Sequence, residues 1–124
     1  MRIIIAGGGT GGHLFPGIAI AEEFLKRDQK NSLLFMGTER GIEKRILGNG
    51  KMGFHLRTID IEGVKGRGLL KTIGALMKIP RSLLQSSRII REFRPDIVIG
   101  VGGYASGPAV ISAHFMGIKT AITE

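Results

Sequence analysis

A glycine-rich segment near the amino terminus contains the residues best suited to bind and act on a charged ligand. Gly7, Gly9 and Gly12 have the G-x-G-x-x-G spacing and lie between an apolar run and an amphipathic one. Glycines let the backbone approach a ligand closely, and the free N–H groups at a helix start attract phosphate. His13 follows at once, and histidine is the side chain that exchanges protons near neutral pH. The segment predicts a site for a phosphate-bearing ligand, with His13 as the candidate catalytic residue.

Other interpretations of this segment are weaker but not all are excluded. The glycines could serve only close packing between a strand and a helix. A Walker A loop requires Lys after the last glycine, where this chain has His13. A nicotinamide site requires an acidic residue at the end of the second strand. That strand is predicted to end at Met36, and Glu39 comes late, so a dinucleotide site is disfavoured without being excluded.

A second glycine-rich segment, residues 102–107, precedes a helix predicted to begin near Pro108. It too offers backbone N–H groups and the positive end of a helix dipole. Both segments follow predicted parallel strands, and ligands of open α/β sheets bind outside the carboxyl ends of such strands. We therefore expect the two segments to face one crevice. The alternative is a glycine-rich turn that serves packing alone.

A basic segment accounts for most of the net charge of +8. Residues 65–94 contain eight Lys or Arg residues and one acid, Glu92. Within it, Ile73, Met77 and Leu83 could share an exposed apolar strip, and the basic residues beside that strip are Lys71, Lys78 and Arg81. Apolar residues edged by cations suit an anionic membrane surface. A stripe that faces the core, with a solvated basic face, is the alternative.

The order of apolar and amphipathic runs predicts the elements that position these residues. Short apolar runs alternate with helical ones, which indicates an α/β fold with a Rossmann-like, doubly wound parallel sheet. The predicted strands are Arg2–Ala6, Ser32–Met36, Phe54–Ile61, Asp96–Val101 and Lys119–Thr123. The predicted helices are Pro16–Arg27, a short one capped by Thr38 and ending at Leu47, Leu69–Phe93 broken near Pro80, and Pro108–Met116 with Gly117 as its C-cap. Because the fifth strand is followed by no helix, we expect the natural polypeptide to continue past Glu124.

Composition narrows the class of protein further. The chain has 124 residues, no cysteine and twenty glycines, so disulfide scaffolds and cysteine-based metal sites are excluded. No secretion signal and no membrane-spanning run is recognisable, and the scattered acids form no metal-binding pattern. A nucleic-acid partner is disfavoured because one Tyr and no Trp provide few stacking platforms.

Several motifs together resemble those of the MurG glycosyltransferases. Gly8–His13 followed by Phe15–Gly17 is similar to the opening motif of that family, and Gly102–Pro108 is similar to its second glycine loop. Gly63–Gly68 and Arg94–Val98 also match in order and spacing. The resemblance covers essentially the whole chain.

The resemblance implies a reaction and a domain organisation. Residues 1–124 would be the N-terminal, acceptor-side domain of a two-domain GT-B enzyme whose absent C-terminal domain holds most of the nucleotide. The enzyme would transfer N-acetylglucosamine from UDP-N-acetylglucosamine to undecaprenyl-pyrophosphoryl-muramyl-pentapeptide, with inversion, in peptidoglycan synthesis. It would be a peripheral protein at the cytoplasmic face of the bacterial plasma membrane. No cofactor is expected, because the sugar nucleotide is a substrate. This fragment alone is expected to be inactive.

The resemblance also implies residue roles. Thr10, Gly11 and Gly12 would contact the donor, and His13 would be the general base. From the two helix starts we predict that both loops together cradle the acceptor's pyrophosphate, with Tyr104 and Ser106 as hydrogen-bond partners beside Gly103 and Gly107. Glu124 stands where the family has the Glu of a His-Glu-Gln-Asn motif, whereas Thr123 replaces its His and so puts that histidine's role in doubt.

Two functions from other classes stay open at this point. One is a non-catalytic nucleotide- or phosphate-binding module of the Rossmann type, in which the glycine loop only binds. The other is a domain of an NAD(P)-dependent oxidoreductase.

Overall fold

A computed structural model describes residues 1–41, 43–47, 53–61 and 68–123. The motif residues 63–67, with Lys65 and Arg67, lie outside this part of the chain, and so does Glu124. The strands are β1 (Arg2–Ala6), β2 (Ser32–Thr38), β3 (His55–Ile59), β4 (Ile97–Gly100) and β5 (Lys119–Ile122). The helices are α1 (Gly11–Arg27), α2 (Glu43–Leu47), α3 (Leu69–Phe93) and α4 (Ser106–Phe115).

The five strands form one parallel sheet in the order β3-β2-β1-β4-β5. Ile4 of β1 lies between Leu34 of β2 and Val98 of β4. The chain turns outward in opposite directions from β1, which makes the carboxyl ends of β1 and β4 the point where an open α/β sheet binds its ligand. The predicted doubly wound fold is confirmed.

Alternating residues of the central strands face two separate cores. Ile3 and Ile5 join Leu14 and Ile18 of α1 on one face. Ile4 joins Ile90 of α3 and the alanines of α4 on the other. Strands covered on both faces must be apolar throughout, which explains the unbroken run of isoleucines in β1.

Helix α1 begins earlier than its sequence pattern predicts. It starts at Gly11, so Pro16 lies inside the helix and not in its first turn. The sequence pattern did not predict this start, because the first two helical residues are Gly11 and Gly12 and glycine is a poor helix former. The consequence is functional: the helix begins within the glycine-rich segment itself, and His13 stands in its first turn.

The predicted break of α3 at Pro80 is wrong, because α3 is one helix of 25 residues. A proline inside a helix removes one backbone hydrogen bond but does not have to end the helix. Among the residues described here, no helix is long and apolar enough to cross a membrane.

The other helix ends agree only partly with the sequence pattern. Thr38 is the last residue of β2 and not the cap of α2, which starts at Glu43. Helix α4 starts at Ser106, two residues before Pro108. Gly117 ends it as predicted, with a φ of 72° that favours glycine and with its N–H donating to the carbonyl of His114.

Candidate functional site

The two glycine-rich segments follow the neighbouring strands β1 and β4, which end at paired residues. We call residues 7–10, between β1 and α1, loop 1, and residues 101–105, between β4 and α4, loop 2. Ala6 pairs with Gly100, and the Val101 N–H donates to the carbonyl oxygen of Ala6 at 2.9 Å. Strand pairing therefore delivers both loops to the same edge of the sheet.

The loops touch each other through their backbones. The Gly8 N–H donates to the carbonyl oxygen of Gly102 at 3.3 Å, and the Gly7 N–H donates to that of Met36 at 3.0 Å. A Cβ atom on Gly103 would overlap the carbonyl of Gly8, and one on Gly7 would lie 2.5 Å from the carbonyl oxygen of Gly102. Since a side chain at either position would force the loops apart, glycine is required at both for this contact.

Helix α1 presents an amino end without a side-chain cap. Its N-cap, Thr10, has an extended backbone (φ −136°), and its side chain makes no capping hydrogen bond. The first turn contains Gly11, Gly12 and His13 and no acidic residue. Backbone N–H groups at a helix start point out of the helix and carry partial positive charge. Thr10, Gly11 and Gly12 can therefore offer donors to an anion.

Helix α4 presents a second amino end beside the first. Its N-cap, Ala105, makes no side-chain cap, and its first turn also has no acidic residue. Gly103, Tyr104 and Gly107 are exposed, with Tyr104 45% accessible. Ser106 is buried, and its hydroxyl lies next to Gly100 of β4. The exposed residues of this end can meet a ligand directly, whereas the Ser106 side chain is turned towards the sheet.

His13 connects the two loops. It lies in the first turn of α1, is half-buried, and packs its ring against Gly102 of loop 2. The arrangement therefore sets one proton-accepting side chain beside two helix amino ends. Helix starts of this kind bind phosphate groups. Among the residues described, no three His, Asp or Glu side chains form a group that could hold a metal ion.

A polar cavity of about 260 Å³ adjoins the same sheet edge, at the ends of β2 and β3. It is lined by Glu39, Arg40, Ile59, Asp60, Ile61 and Lys78. The carboxylate of Asp60 pairs with Lys78 at 3.7 Å and with Arg81 at 3.5 Å. The sequence pattern did not predict this cavity or a role for Asp60, although a polar residue directly after a buried strand, as Asp60 is, could have indicated it.

Helix α3 exposes a broad apolar surface, and all but one of its residues lie in the amino-terminal half of the helix. We call it the α3 strip; its members are Leu69, Leu70, Ile73, Leu76, Met77 and Leu84. Of the three apolar residues predicted there, Ile73 and Met77 are exposed. Leu83, the third, is half-buried and not exposed, and its carbonyl accepts a hydrogen bond from the Ser112 hydroxyl at 3.3 Å. Leu83 therefore lies on the side of α3 that faces α4.

Basic residues lie around the α3 strip, but two of them also make ion pairs. Lys71 is exposed. Arg81 keeps 68% of its side chain accessible and Lys78 keeps 32%, and both pair with Asp60. The three predicted cations thus lie on the same half of α3 as the apolar strip, with one acid offsetting part of their charge.

Comparison with known proteins gives a consistent family. Residues 3–124 match the glycosyltransferase family 28 N-terminal domain. A protein of Syntrophus aciditrophicus (strain SB) is 65% identical over 124 residues, and one of Anaeromyxobacter sp. (strain Fw109-5) is 53% identical. Both are named UDP-N-acetylglucosamine–N-acetylmuramyl-(pentapeptide) pyrophosphoryl-undecaprenol N-acetylglucosamine transferase.

Those alignments cover all of this chain but 34% and 32% of the two relatives. The chain thus spans about one third of the length of the curated relatives it matches.

Solved structures show the same fold. Acinetobacter baumannii MurG superimposes with a TM-score of 0.80 at 31% identity, over 98% of this chain and 34% of that one. A UDP-GlcNAc 2-epimerase from Neisseria meningitidis, bound to UDP-GlcNAc, superimposes with a TM-score of 0.64 at 16% identity, over all of this chain and 32% of that one. The second likeness concerns the fold alone.

Proposed function

The chain belongs to the family of glycosyltransferase family 28 N-terminal domains, and from this membership we propose that it is the acceptor-side domain of a two-domain GT-B hexosyltransferase. The complete enzyme transfers N-acetylglucosamine from UDP-N-acetylglucosamine to undecaprenyl-pyrophosphoryl-muramyl-pentapeptide. Relatives with 65% and 53% identity are named for this reaction. A second domain, outside the 124 residues, supplies most of the contacts to the nucleotide.

The observation that carries the proposal is the contact between the two loops. Two helix amino ends, without acidic residues in their first turns, lie side by side at the carboxyl edge of the sheet. This arrangement suits the pyrophosphate of the acceptor, because N–H groups and helix dipoles offset its charge. Gly103, Tyr104 and Gly107 contact the acceptor, with Ser106 contributing its backbone N–H. Thr10, Gly11 and Gly12 face the donor. Glu124, which lies outside the described residues, is a further donor contact.

The chemical step uses His13 as general base. Its imidazole takes the proton of the acceptor hydroxyl while the hydroxyl oxygen bonds to the anomeric carbon. The bond from that carbon to UDP breaks, and the electron pair leaves on the diphosphate. Attack from the face opposite UDP inverts the configuration. The ring atoms of His13 nearest to a Cβ built on Gly102 are Nδ1, Cε1 and Cγ, so we assign Nε2, which is not among them, as the atom that accepts the proton.

The α3 strip brings this site to its lipid-linked acceptor. A long apolar tail keeps the acceptor in the membrane, so the enzyme must work at the bilayer surface. Exposed leucines beside Lys71, Lys78 and Arg81 suit insertion at an anionic interface, where each basic residue contributes about 1 kcal/mol. The protein is therefore peripheral, at the cytoplasmic face of the bacterial plasma membrane.

Transfer of labelled sugar tests the function. The full-length protein is given UDP-N-acetylglucosamine labelled in the sugar, together with the lipid acceptor in anionic vesicles. We expect one labelled sugar on each lipid product and one UDP released. Release of UDP without labelled lipid means that the donor is hydrolysed, and no release of UDP with intact acceptor favours a binding module. Either outcome contradicts the proposal.

The position of Glu39 bears on the NAD(P)-dependent alternative. Strand β2 extends to Thr38, so Glu39 follows the strand directly instead of coming late. The position of Glu39 therefore does not argue against a dinucleotide. The relatives' names do, because they describe a sugar transferase. Titration with NAD⁺ and NADPH, expected to show no binding, separates the two functions.

A further inference from the structure

Gly102 of loop 2 touches the imidazole of His13, which lies in the first turn of α1 directly after loop 1. A Cβ atom built on Gly102 would lie 2.5 Å from Nδ1 of His13, 2.9 Å from Cε1 and 3.3 Å from Cγ. Real Cβ atoms do not approach other heavy atoms as closely as the first of these distances. The space for the ring thus exists only because residue 102 has no side chain.

The backbone of Gly102 is constrained by its own conformation and by its contact with loop 1. Its φ of 95° lies in the region that favours glycine, and its carbonyl accepts the Gly8 N–H at 3.3 Å. The next residue, Gly103, packs directly on the Gly8 carbonyl. Loop 2 therefore cannot shift away from His13 without breaking its contact with loop 1.

We propose that Gly102 is a positioning residue, which sets the orientation of the His13 imidazole. This inference rests on the proposed function, in which His13 is the base. The same loop carries Gly103 and Tyr104, the proposed acceptor contacts. Engagement of the acceptor's pyrophosphate by loop 2 is therefore coupled to the position of the base.

The predicted effect is on the chemical step and not on donor binding. An alanine at 102 pushes the ring away, so the distance from its nitrogen to the acceptor hydroxyl increases. A misplacement of about 1 Å in a reacting group can lower the rate by about 10²-fold. We expect Gly102→Ala in the full-length enzyme to lower kcat by about that factor. KM for UDP-N-acetylglucosamine should stay within about twofold, because donor binding does not depend on the ring orientation.

Gly117→Ala is the matched control. Gly117 also has a positive φ, 72°, but a Cβ atom there meets nothing within 4 Å. It lies at the carboxyl end of α4, the opposite end from loop 2. The control also places an alanine at a positive φ but without the collision, so it should keep the wild-type kcat. An equal loss of kcat in both variants overturns the proposal.

A double-variant cycle separates positioning from a direct role of Gly102. In a His13→Ala enzyme there is no ring to displace, so adding Gly102→Ala should change kcat by less than about twofold.

The stability of the variants tests the same contact, because the collision with the ring should also destabilise the fold. If Gly102→Ala is too unstable to assay, the double variant should regain part of the lost stability. A double variant whose effects on kcat and stability both add independently contradicts the coupling.

Histidine NMR resonances read the same contact without any transferase activity. Gly102→Ala should shift the His13 ring resonances, assigned with a His13→Gln variant, and Gly117→Ala should not. His55 and His114 serve as internal references. Unchanged His13 resonances in Gly102→Ala overturn the inference even if transfer is observed. Shifted resonances support it even if the proposed reaction is disproved.

Discussion

His13 and Gly102 illustrate how single residues define this site. A histidine beside a glycine loop is a common pattern, and sequence alone indicated His13 only as a candidate catalytic residue. The ring's position against Gly102 adds a reason for both residue types. In the proposed mechanism, the chemistry depends on the imidazole of His13 and on the absence of a side chain at Gly102.

Removal of the imidazole gives the first prediction. His13→Ala in the full-length enzyme should lower kcat by about 10²–10⁴-fold, the usual contribution of a general base. Turnover is measured with both substrates saturating. His114→Ala is the control, because His114 is exposed near the end of α4 and stacks edge-on against Phe115. Near-normal turnover of His13→Ala means that the base is another group.

Glu92 gives a prediction about pH. Hydrogen bonds from Arg88 at 3.0 Å and from Arg57 at 3.1 Å lower the pKa of Glu92 below its ordinary value of 4.5. A carboxyl with a lowered pKa stabilises the fold above its unfolded pKa, and this stabilisation disappears as the pH falls through the folded value.

The Glu92→Gln variant isolates that effect. It should be slightly less stable than wild type near pH 7, and the gap should close in acid, once the pH has fallen below the lowered pKa of Glu92. Urea denaturation at both pH values measures it. A gap of the same size in acid means that Glu92 acts through packing and not through its charge.

Helix α3 shows why an element can be predicted while its exposed face is not. A helix of 25 residues is about 37 Å long, whereas the seven residues of β2 span about 23 Å. Its buried residues, Ser82, Ser86, Ile89 and Ile90, all lie in the second half. The first half extends beyond the sheet, so apolar residues there stay exposed. Hydrophobic periodicity finds an apolar stripe but cannot tell whether another element covers it.

The same limit explains the other differences from the sequence pattern. The five strands and the fold class were predictable because buried parallel strands are continuous apolar runs. The start of α1 was not, because Gly11 and Gly12 have little helix propensity and owe their helical state to tertiary contacts. The contact between Gly8 and Gly102, ninety-four positions apart in the sequence, depends on strand order, which no local pattern encodes.

The α3 strip gives a prediction at the scale of the element. Leu70→Asp and Met77→Asp each replace a highly exposed apolar side chain, 86% and 73% accessible, with a negative charge. Both should weaken sedimentation with anionic vesicles severalfold and leave the unfolding midpoint unchanged. Ala19→Asp, at an exposed position of α1 on the opposite face of the sheet, is the charge-matched control. Equal vesicle binding by all three variants contradicts a membrane role for the strip.

For the whole molecule, stability depends on the two cores that enclose β1. Ile4 is completely buried at the centre of the sheet, whereas Ile122 on β5 is 70% exposed. Ile4→Ala should destabilise the protein by about 2–5 kcal/mol, because it leaves a cavity in a close-packed core. Ile122→Ala should cost less than about 1 kcal/mol. Chemical denaturation measures both, and a similar loss at the two positions means that the described core does not hold the fold.

The contact between loop 1 and loop 2 makes the geometry of the proposed site a consequence of strand pairing. Their contact is made by main-chain atoms, which have no rotamers and cannot adjust to a misplaced neighbour. The one-to-one register of Ala6 with Gly100 therefore fixes the crevice as soon as β1 and β4 have paired. A one-residue deletion at the end of either strand would therefore misalign the two helix starts while the cores remained intact.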